Sequence, residues 1–237
     1  MSQNQLIVAL DVEDLAAANE LVTTLSDDVK WFKIGKQFFT SVGPNSVRLL
    51  QKAKKNIFLD LKFHDIPNTV AGAVASGTKI GAHMINMHTS GGFEMMRAAA
   101  ESAEKQASEL GIPQPTLLGV TILTSVDEAN FQRDFGTPRR LADQVAYLAE
   151  LSQKAGLDGV VASPLEIGLI RKVCGDDFVI VTPGVRPAWA DSNDQQRVMA
   201  PAEAIDAGAD YIVVGRPITA SDNPREAARR ILQEIDQ

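Results

Sequence analysis

The chain has 237 residues, 45% of them hydrophobic and 22% charged, with a formal net charge of −7. This is the composition of an ordinary folded globular protein, which excludes disordered and collagen-like chains, and the acidic balance argues against nucleic acid as the main partner. No apolar run reaches the roughly 18 residues that cross a bilayer, and the opening MSQNQLIVALD lacks a basic segment followed by an apolar stretch and cleavage site. The expectation is therefore a cytoplasmic protein with no membrane partner.

In chain order the strand-like runs are LIVAL at 6–10, WFKIG at 31–35, NIFLDLK at 56–62 and MINMH at 84–88. They continue with TLLGVTIL at 116–123, GVVA at 159–162, FVIVT at 178–182 and YIVVG at 211–215. Helix-length segments lie between them; Leu141, Val145, Leu148 and Leu151, for example, make one apolar stripe at helical spacing. Gly43, Gly81, Gly111 and Gly156 supply helix ends. About eight β/α repeats with no linker rich in Pro, Gly or Ser predict one domain over 1–237, a (β/α)₈ TIM barrel of the α/β class. An open doubly wound sheet shares the alternation, but no G-x-G-x-x-G turn follows the first strand.

Barrel enzymes carry their chemistry at the carboxyl ends of strands. In the third run, period-2 alternation puts Ile57, Leu59 and Leu61 on one face and Phe58, Asp60 and Lys62 on the other. Asp65 follows just beyond, and Asp11 after the first strand and Lys33 in the second are placed to join them. One Asp-Lys pair is as readily a structural salt bridge as a catalytic pair, but charges of alternating sign on three strands are costly unless used. Burial depresses a lysine pKa and neighbouring carboxylates restore it, so Lys62 is expected to stay protonated and to donate a proton rather than form a Schiff base. His83 precedes the fourth strand, and His64 and His88, near the expected active face, lack ligand spacing and read as packing or supporting groups, with no metal expected. The lone Cys174 leaves no internal disulfide and reads as a small apolar residue near the end of a helix.

The seventh and eighth runs lead into TPGVRP at 182–187 and VGRPI at 214–218. Loops after these two barrel strands often bind phosphate through backbone N–H groups and a helix N-terminus. Gly184 and Gly215 permit close approach, and Arg186 and Arg216 supply bidentate donors. Between them AWADSNDQQR, 188–197, is too long for a tight turn and reads as a lid, with Gln195 bridging phosphate and base on closure.

The run DLKFHDIPNT, 60–69, resembles the D-x-K-x-x-D signature of orotidine 5′-phosphate decarboxylases. LDV with Asp11, KIG with Lys33, LTS with Thr124, TPGVR with Arg186 and VGR with Arg216 match that family in order along nearly the whole chain. The resemblance implies decarboxylation of orotidine 5′-monophosphate to uridine 5′-monophosphate, the last step of de novo pyrimidine nucleotide synthesis, without a cofactor. It implies Lys62 as proton donor to C6, Asp60 facing the departing carboxylate, Lys33 and Asp11 on the ribose hydroxyls, and Thr124 and Gln195 on the base. Gly215 and Arg216, with Arg186 nearby and Gln195 reaching across, would hold the phosphate. It further implies a homodimer in which Asp65, Ile66 and Thr69 enter the other subunit's site. A magnesium-dependent sugar-phosphate decarboxylase or aldolase shares D-x-K-x-x-D but resembles an enzyme with an acidic residue where Lys33 stands. A silent nucleotide binder would have no use for Asp60, Lys62 and Asp65.

Overall fold

Alternation within each strand decides how the sheet closes. In the computed structural model, which describes residues 5–189 and 199–236, eight parallel strands pair in sequence order and the last returns to the first. They are β1 (Leu6–Ala9), β2 (Trp31–Gly35), β3 (Asn56–Phe63), β4 (Met84–His88), β5 (Thr116–Val120), β6 (Gly159–Val161), β7 (Val179–Thr182) and β8 (Tyr211–Val214). One set of residues, including Ile7, Trp31, Phe58, Met84, Leu118, Val181 and Val213, forms a core inside the barrel. Their neighbours along each strand, such as Val8, Phe32, Ile57, Leu59, Ile85 and Ile212, join the larger core beneath the helices. Each such side chain taken fully from water contributes about 1.5–3 kcal/mol, so a one-residue slip of register would exchange the two cores and is strongly disfavoured.

The helices are α1 (Leu15–Thr24), α2 (Lys36–Val42), α3 (Asn45–Lys52), α4 (Pro67–Lys79), α5 (Phe93–Leu110) and α6 (Glu128–Asp134). They continue with α7 (Leu141–Lys154), α8 (Ile167–Cys174), α9 (Pro201–Asp206), α10 (Arg216–Thr219) and α11 (Pro224–Ile235). Their ends follow local chemistry. Asp14 accepts the Ala17 N–H at 2.9 Å at the start of α1, and Asp127 accepts the Asn130 N–H at 2.8 Å at the start of α6; such caps contribute about 1 kcal/mol each. Gly111 ends α5 in the left-handed region at φ 62, where a Cβ would be strained. Arg225 and Arg229 of α11 grip Asp28, at 2.8 and 2.9 Å, tying the last helix to the turn before β2. None of the described helices is long and apolar enough to cross a membrane.

At the amino end of the barrel Trp31 meets Tyr211 edge-on at 5.5 Å between ring centroids and His83 at 6.1 Å. His83 also accepts the Ile57 N–H through Nδ1 at 3.2 Å, so its role is structural. These rings fill the floor and leave the carboxyl ends of the strands as the open face. One expectation needs correction. The fifth strand ends at Val120 rather than at 123, because beyond it the chain splays outward and Ile122, Leu123 and Thr124 become cavity wall. The connections after β2 and β5 and the segment after β8 each carry two described helices, α2 with α3, α6 with α7 and α10 with α11.

Candidate active site

Strand parity places the polar layer. Trp31 and Lys33 on β2, Phe58 and Asp60 on β3, and Met84 and Asn86 on β4 point the same way in pairs, so the charged residues sit one layer above the inner core. There Lys33 Nζ lies 3.1 Å from Asp60 Oδ2 and 3.3 Å from Asp11 Oδ1, and Lys62 Nζ lies 2.5 Å from Asp60 Oδ1. Lys33 and Asp60 are buried while the Asp11 side chain is 53% exposed, so the array grades from a dry interior to a wet rim.

Burial opposes the charge on Lys33, yet the charges of Asp60 and then Asp11 hold its pKa above the ordinary lysine value. Burial likewise opposes the charge on Asp60, but Lys33, Lys62 and hydrogen bonds from Lys62 and Asn86 hold it below the ordinary carboxylate value. The Asp60 carboxylate and the Lys33 ammonium are thus both charged at neutral pH.

The backbone of β3 is unusual at Lys62. Its φ is +51; among the described residues the other non-glycine with positive φ is Lys54, in the turn that ends α3. A left-handed residue within a strand costs roughly 1–2 kcal/mol, and the β3–β4 register shifts between Leu59 and Phe63. From this bulge the Lys62 side chain reaches Asp60.

The array borders a cavity of about 260 Å³ with Phe58, Val120, Val161 and Val213 at its base, Lys33, Asp60 and Lys62 on one wall, and Thr124 and Ser125 on another. The apolar base lowers the local dielectric and strengthens the charges above it. Gly35 is part of the fit: a Cβ there would stand 2.8 Å from Asp11 Oδ1 and 2.9 Å from Lys33 Nζ, so a side chain at 35 would displace that ion pair.

At the seventh and eighth strand ends, Val185 bridges Met199 and the Arg186 N–H donates to the Met199 carbonyl at 3.0 Å. This draws together the two ends of the loop. Burial, and then the charge of Arg216, lowers the Arg186 pKa from its ordinary value, and Arg186 Nε is buried without a hydrogen-bond partner among the described residues. Two neighbouring guanidiniums with an unmet buried donor have the chemistry to receive an anion. Gly215 caps α10, and a Cβ on it would lie 3.9 Å from Asp11 Oδ2, so this anion corner adjoins the charged array. Trp189 lies under Arg230, 4.5 Å from guanidinium carbon to ring centroid. The rest of the expected lid, 190–197 with Gln195, falls outside the described residues.

Asp65, Ile66 and Thr69 are not brought into this chain's cavity. All three are exposed, Ile66 at 67%, and Asp65 Oδ1 accepts the Ile66 N–H at 2.6 Å. The chain turns outward there to begin α4, so Asp65 is not paired with Lys62 among the described residues. His64 and His88 face each other at 5.6 Å. Burial, with the charges of His64, Lys36 and Lys62, pushes His88 down to about 4, leaving it neutral at neutral pH. Cys174 is half-buried against the outer core, and burial raises its thiol to about 11, the protonated, unreactive state of a packing residue.

Sequence reasoning passed over Asn86, which is fully buried, donates to Asp60 Oδ1 at 2.7 Å and accepts the Lys62 N–H at 2.8 Å. The signal was present as a lone amide at an inward position between the apolar Ile85 and Met87.

This chain is 51% identical over 235 residues to the orotidine 5′-phosphate decarboxylase of Moorella thermoacetica, covering 99% of this chain and 93% of that one. It is 53% identical to the enzyme of that name from Syntrophotalea carbinolica, covering 99% and 96% of the two chains. The crystal structure of orotidine 5′-phosphate decarboxylase from Lactobacillus acidophilus superposes with a TM-score of 0.86 at 35% identity, covering 99% of this chain and all of that one. The model of the orotidine 5′-phosphate decarboxylase / HUMPS family matches residues 4–231, and the chain belongs to that family.

Proposed function

We propose that this protein converts orotidine 5′-monophosphate to uridine 5′-monophosphate and CO₂, with Lys62 as proton donor and no metal or organic cofactor. The observation that carries the reading is the Lys62 ammonium held against the Asp60 carboxylate at the wall of an apolar-based cavity.

The chemistry demands such an arrangement. Breaking the bond between C6 and the carboxyl carbon leaves an electron pair in the plane of the pyrimidine ring, where no adjacent carbonyl can accept it by resonance. CO₂ departs, Lys62 Nζ gives its proton to C6, and the resulting amine regains a proton from solvent. An ammonium about 4 Å from the developing charge is worth on the order of 4 kcal/mol at an effective dielectric near 20. The most proficient enzymes lower barriers by roughly 20 kcal/mol. The remainder falls to positioning: contacts to ribose by Lys33 and Asp11, to the base by Thr124 and Gln195, and to phosphate by Gly215, Arg216, Arg186 and Gln195. These hold C6 against Lys62 and press the substrate carboxylate toward Asp60.

Lys33 speaks against a divalent-metal enzyme of the same family. Its ammonium already neutralises Asp60 and Asp11 from 3.1 and 3.3 Å, and a cation bound there would meet a fixed positive charge. We further assign a cytoplasmic homodimer, in which the exposed Asp65, Ile66 and Thr69 complete the site of the second copy; the 67% exposure of the apolar Ile66 supports this. The test is to mix purified protein with orotidine 5′-monophosphate in excess chelator and follow ultraviolet absorbance and CO₂ release. Turnover is expected. Activity that disappears with chelator and returns with Mg²⁺ would overturn the cofactor-free reading.

A further inference from the structure

We infer that Asn86 is a positioning residue for the decarboxylation, its one amide setting both the backbone of Lys62 and the carboxylate of Asp60. The inference rests on the roles proposed above for those two residues. Asn86 occupies the inward register of β4 above Met84 and is wholly buried. Its Oδ1 accepts the Lys62 N–H at 2.8 Å and its Nδ2 donates to Asp60 Oδ1 at 2.7 Å. The orientation of the amide is dictated by its partners, since a backbone N–H needs an acceptor and a carboxylate needs a donor.

Neither bond is incidental. The register shift between Leu59 and Phe63 interrupts the β3–β4 ladder at Lys62, and a buried N–H without a partner is costly. The Asn86 side chain supplies that partner. It thereby holds a residue at φ +51, which an unsupported strand would relax. The second bond acts on the electrostatics. Asp60 is faced by Lys33 from β2, by Lys62 from its own strand and by Asn86 from β4, with Asp11 beyond Lys33 and His88 on the same side as Asn86. The donor on Asn86 is neutral, so it fixes the Asp60 carboxylate without adding a third positive charge to the site.

The test compares Asn86→Ala, which removes both bonds, with the near-isosteric Asn86→Asp, which keeps the acceptor for Lys62 but replaces the donor with a carboxylate facing Asp60. Expected in both is a fall in kcat of roughly 10- to 100-fold, with uridine 5′-monophosphate affinity changed less than about threefold. The acid limb of the kcat profile should move to higher pH, because Asp60 loses a hydrogen bond that favours its charged form, and further in Asn86→Asp than in Asn86→Ala. Near-normal kcat, an unmoved acid limb, or product affinity and Tm falling in step with kcat would overturn the proposal by making Asn86 merely structural. If Asn86→Ala does not fold, Asn86→Asp decides, and failure of both to fold counts against the inference. Lys62→Ala run alongside separates the two levels. Undiminished turnover in that variant refutes the catalytic reading itself, whereas an inactive Lys62→Ala beside fully active Asn86 variants refutes only the role of Asn86.

Discussion

Lys62 Nζ stands 2.5 Å from Asp60 Oδ1 although the two residues are separated by one position on the same strand. In a regular strand such residues project side by side from backbone sites about 6.5–7 Å apart. Here the pair closes within the bulge, where Lys62 has a left-handed backbone.

Replacing Lys62 with Ala removes the proton donor and the charge beside C6. Turnover of orotidine 5′-monophosphate should drop by roughly a thousandfold or more, while uridine 5′-monophosphate still binds in titration calorimetry. Turnover within tenfold of the unaltered protein would remove Lys62 from the reaction.

The anion corner makes a prediction of opposite signs. Arg186→Ala should leave the ligand-free protein no less stable, because a half-buried guanidinium beside Arg216, with its Nε buried and unsatisfied among the described residues, is lost. Arg186→Ala and Arg216→Ala should each weaken uridine 5′-monophosphate by roughly 10- to 100-fold, the worth of charge-assisted hydrogen bonds, and leave uridine affinity unchanged. Equal losses for nucleotide and nucleoside would place the phosphate elsewhere.

Gly35→Ala should separate function from stability. The atoms that its Cβ would crowd are the ends of Asp11 and Lys33, which can move, so Tm should change by less than about 3 °C. The displaced ion pair should raise KM by roughly tenfold or more. A large fall in Tm with normal KM would show that the glycine serves the barrel backbone instead.

His88 predicts a pH dependence of stability. Half-buried, and facing His64, Lys36 and Lys62 with Asp60 the one opposing charge, it has a folded pKa of about 4 against an ordinary 6.5. The unfolded chain then binds the proton first, so His88 stabilises the fold fully above about pH 6.5 and progressively less as pH falls toward 4. At roughly 1.4 kcal/mol per pKa unit the loss is about 3 kcal/mol. Urea unfolding of the protein and of His88→Gln at pH 7 and pH 5 should show this slope in the first and a shallower one in the second; parallel slopes would contradict it.

The dimer reading is tested by complementation. Lys62→Ala and Asp65→Ala should each be nearly inactive alone, and subunits exchanged between them should regain about a quarter of full activity, from hybrid dimers with one intact site. No recovery after verified exchange would confine Asp65 to its own subunit.

The sequence by itself pointed to the barrel, because about eight short apolar runs alternate with helix-length segments from end to end and no G-x-G-x-x-G turn follows the first. It also placed Lys33, Asp60 and Lys62 on the inner face and Arg186 and Arg216 at neighbouring strand ends, since parity and strand order are local properties. The tertiary structure alone decided the exposure of Asp65, Ile66 and Thr69, the steric demand at Gly35 and the left-handed turn at Lys62. It also assigned the place of Asn86 between Lys62 and Asp60. Each of these depends on how β3 meets β4 or how the chain leaves the sheet, and pairing between strands distant in sequence is invisible to any pattern read along one of them.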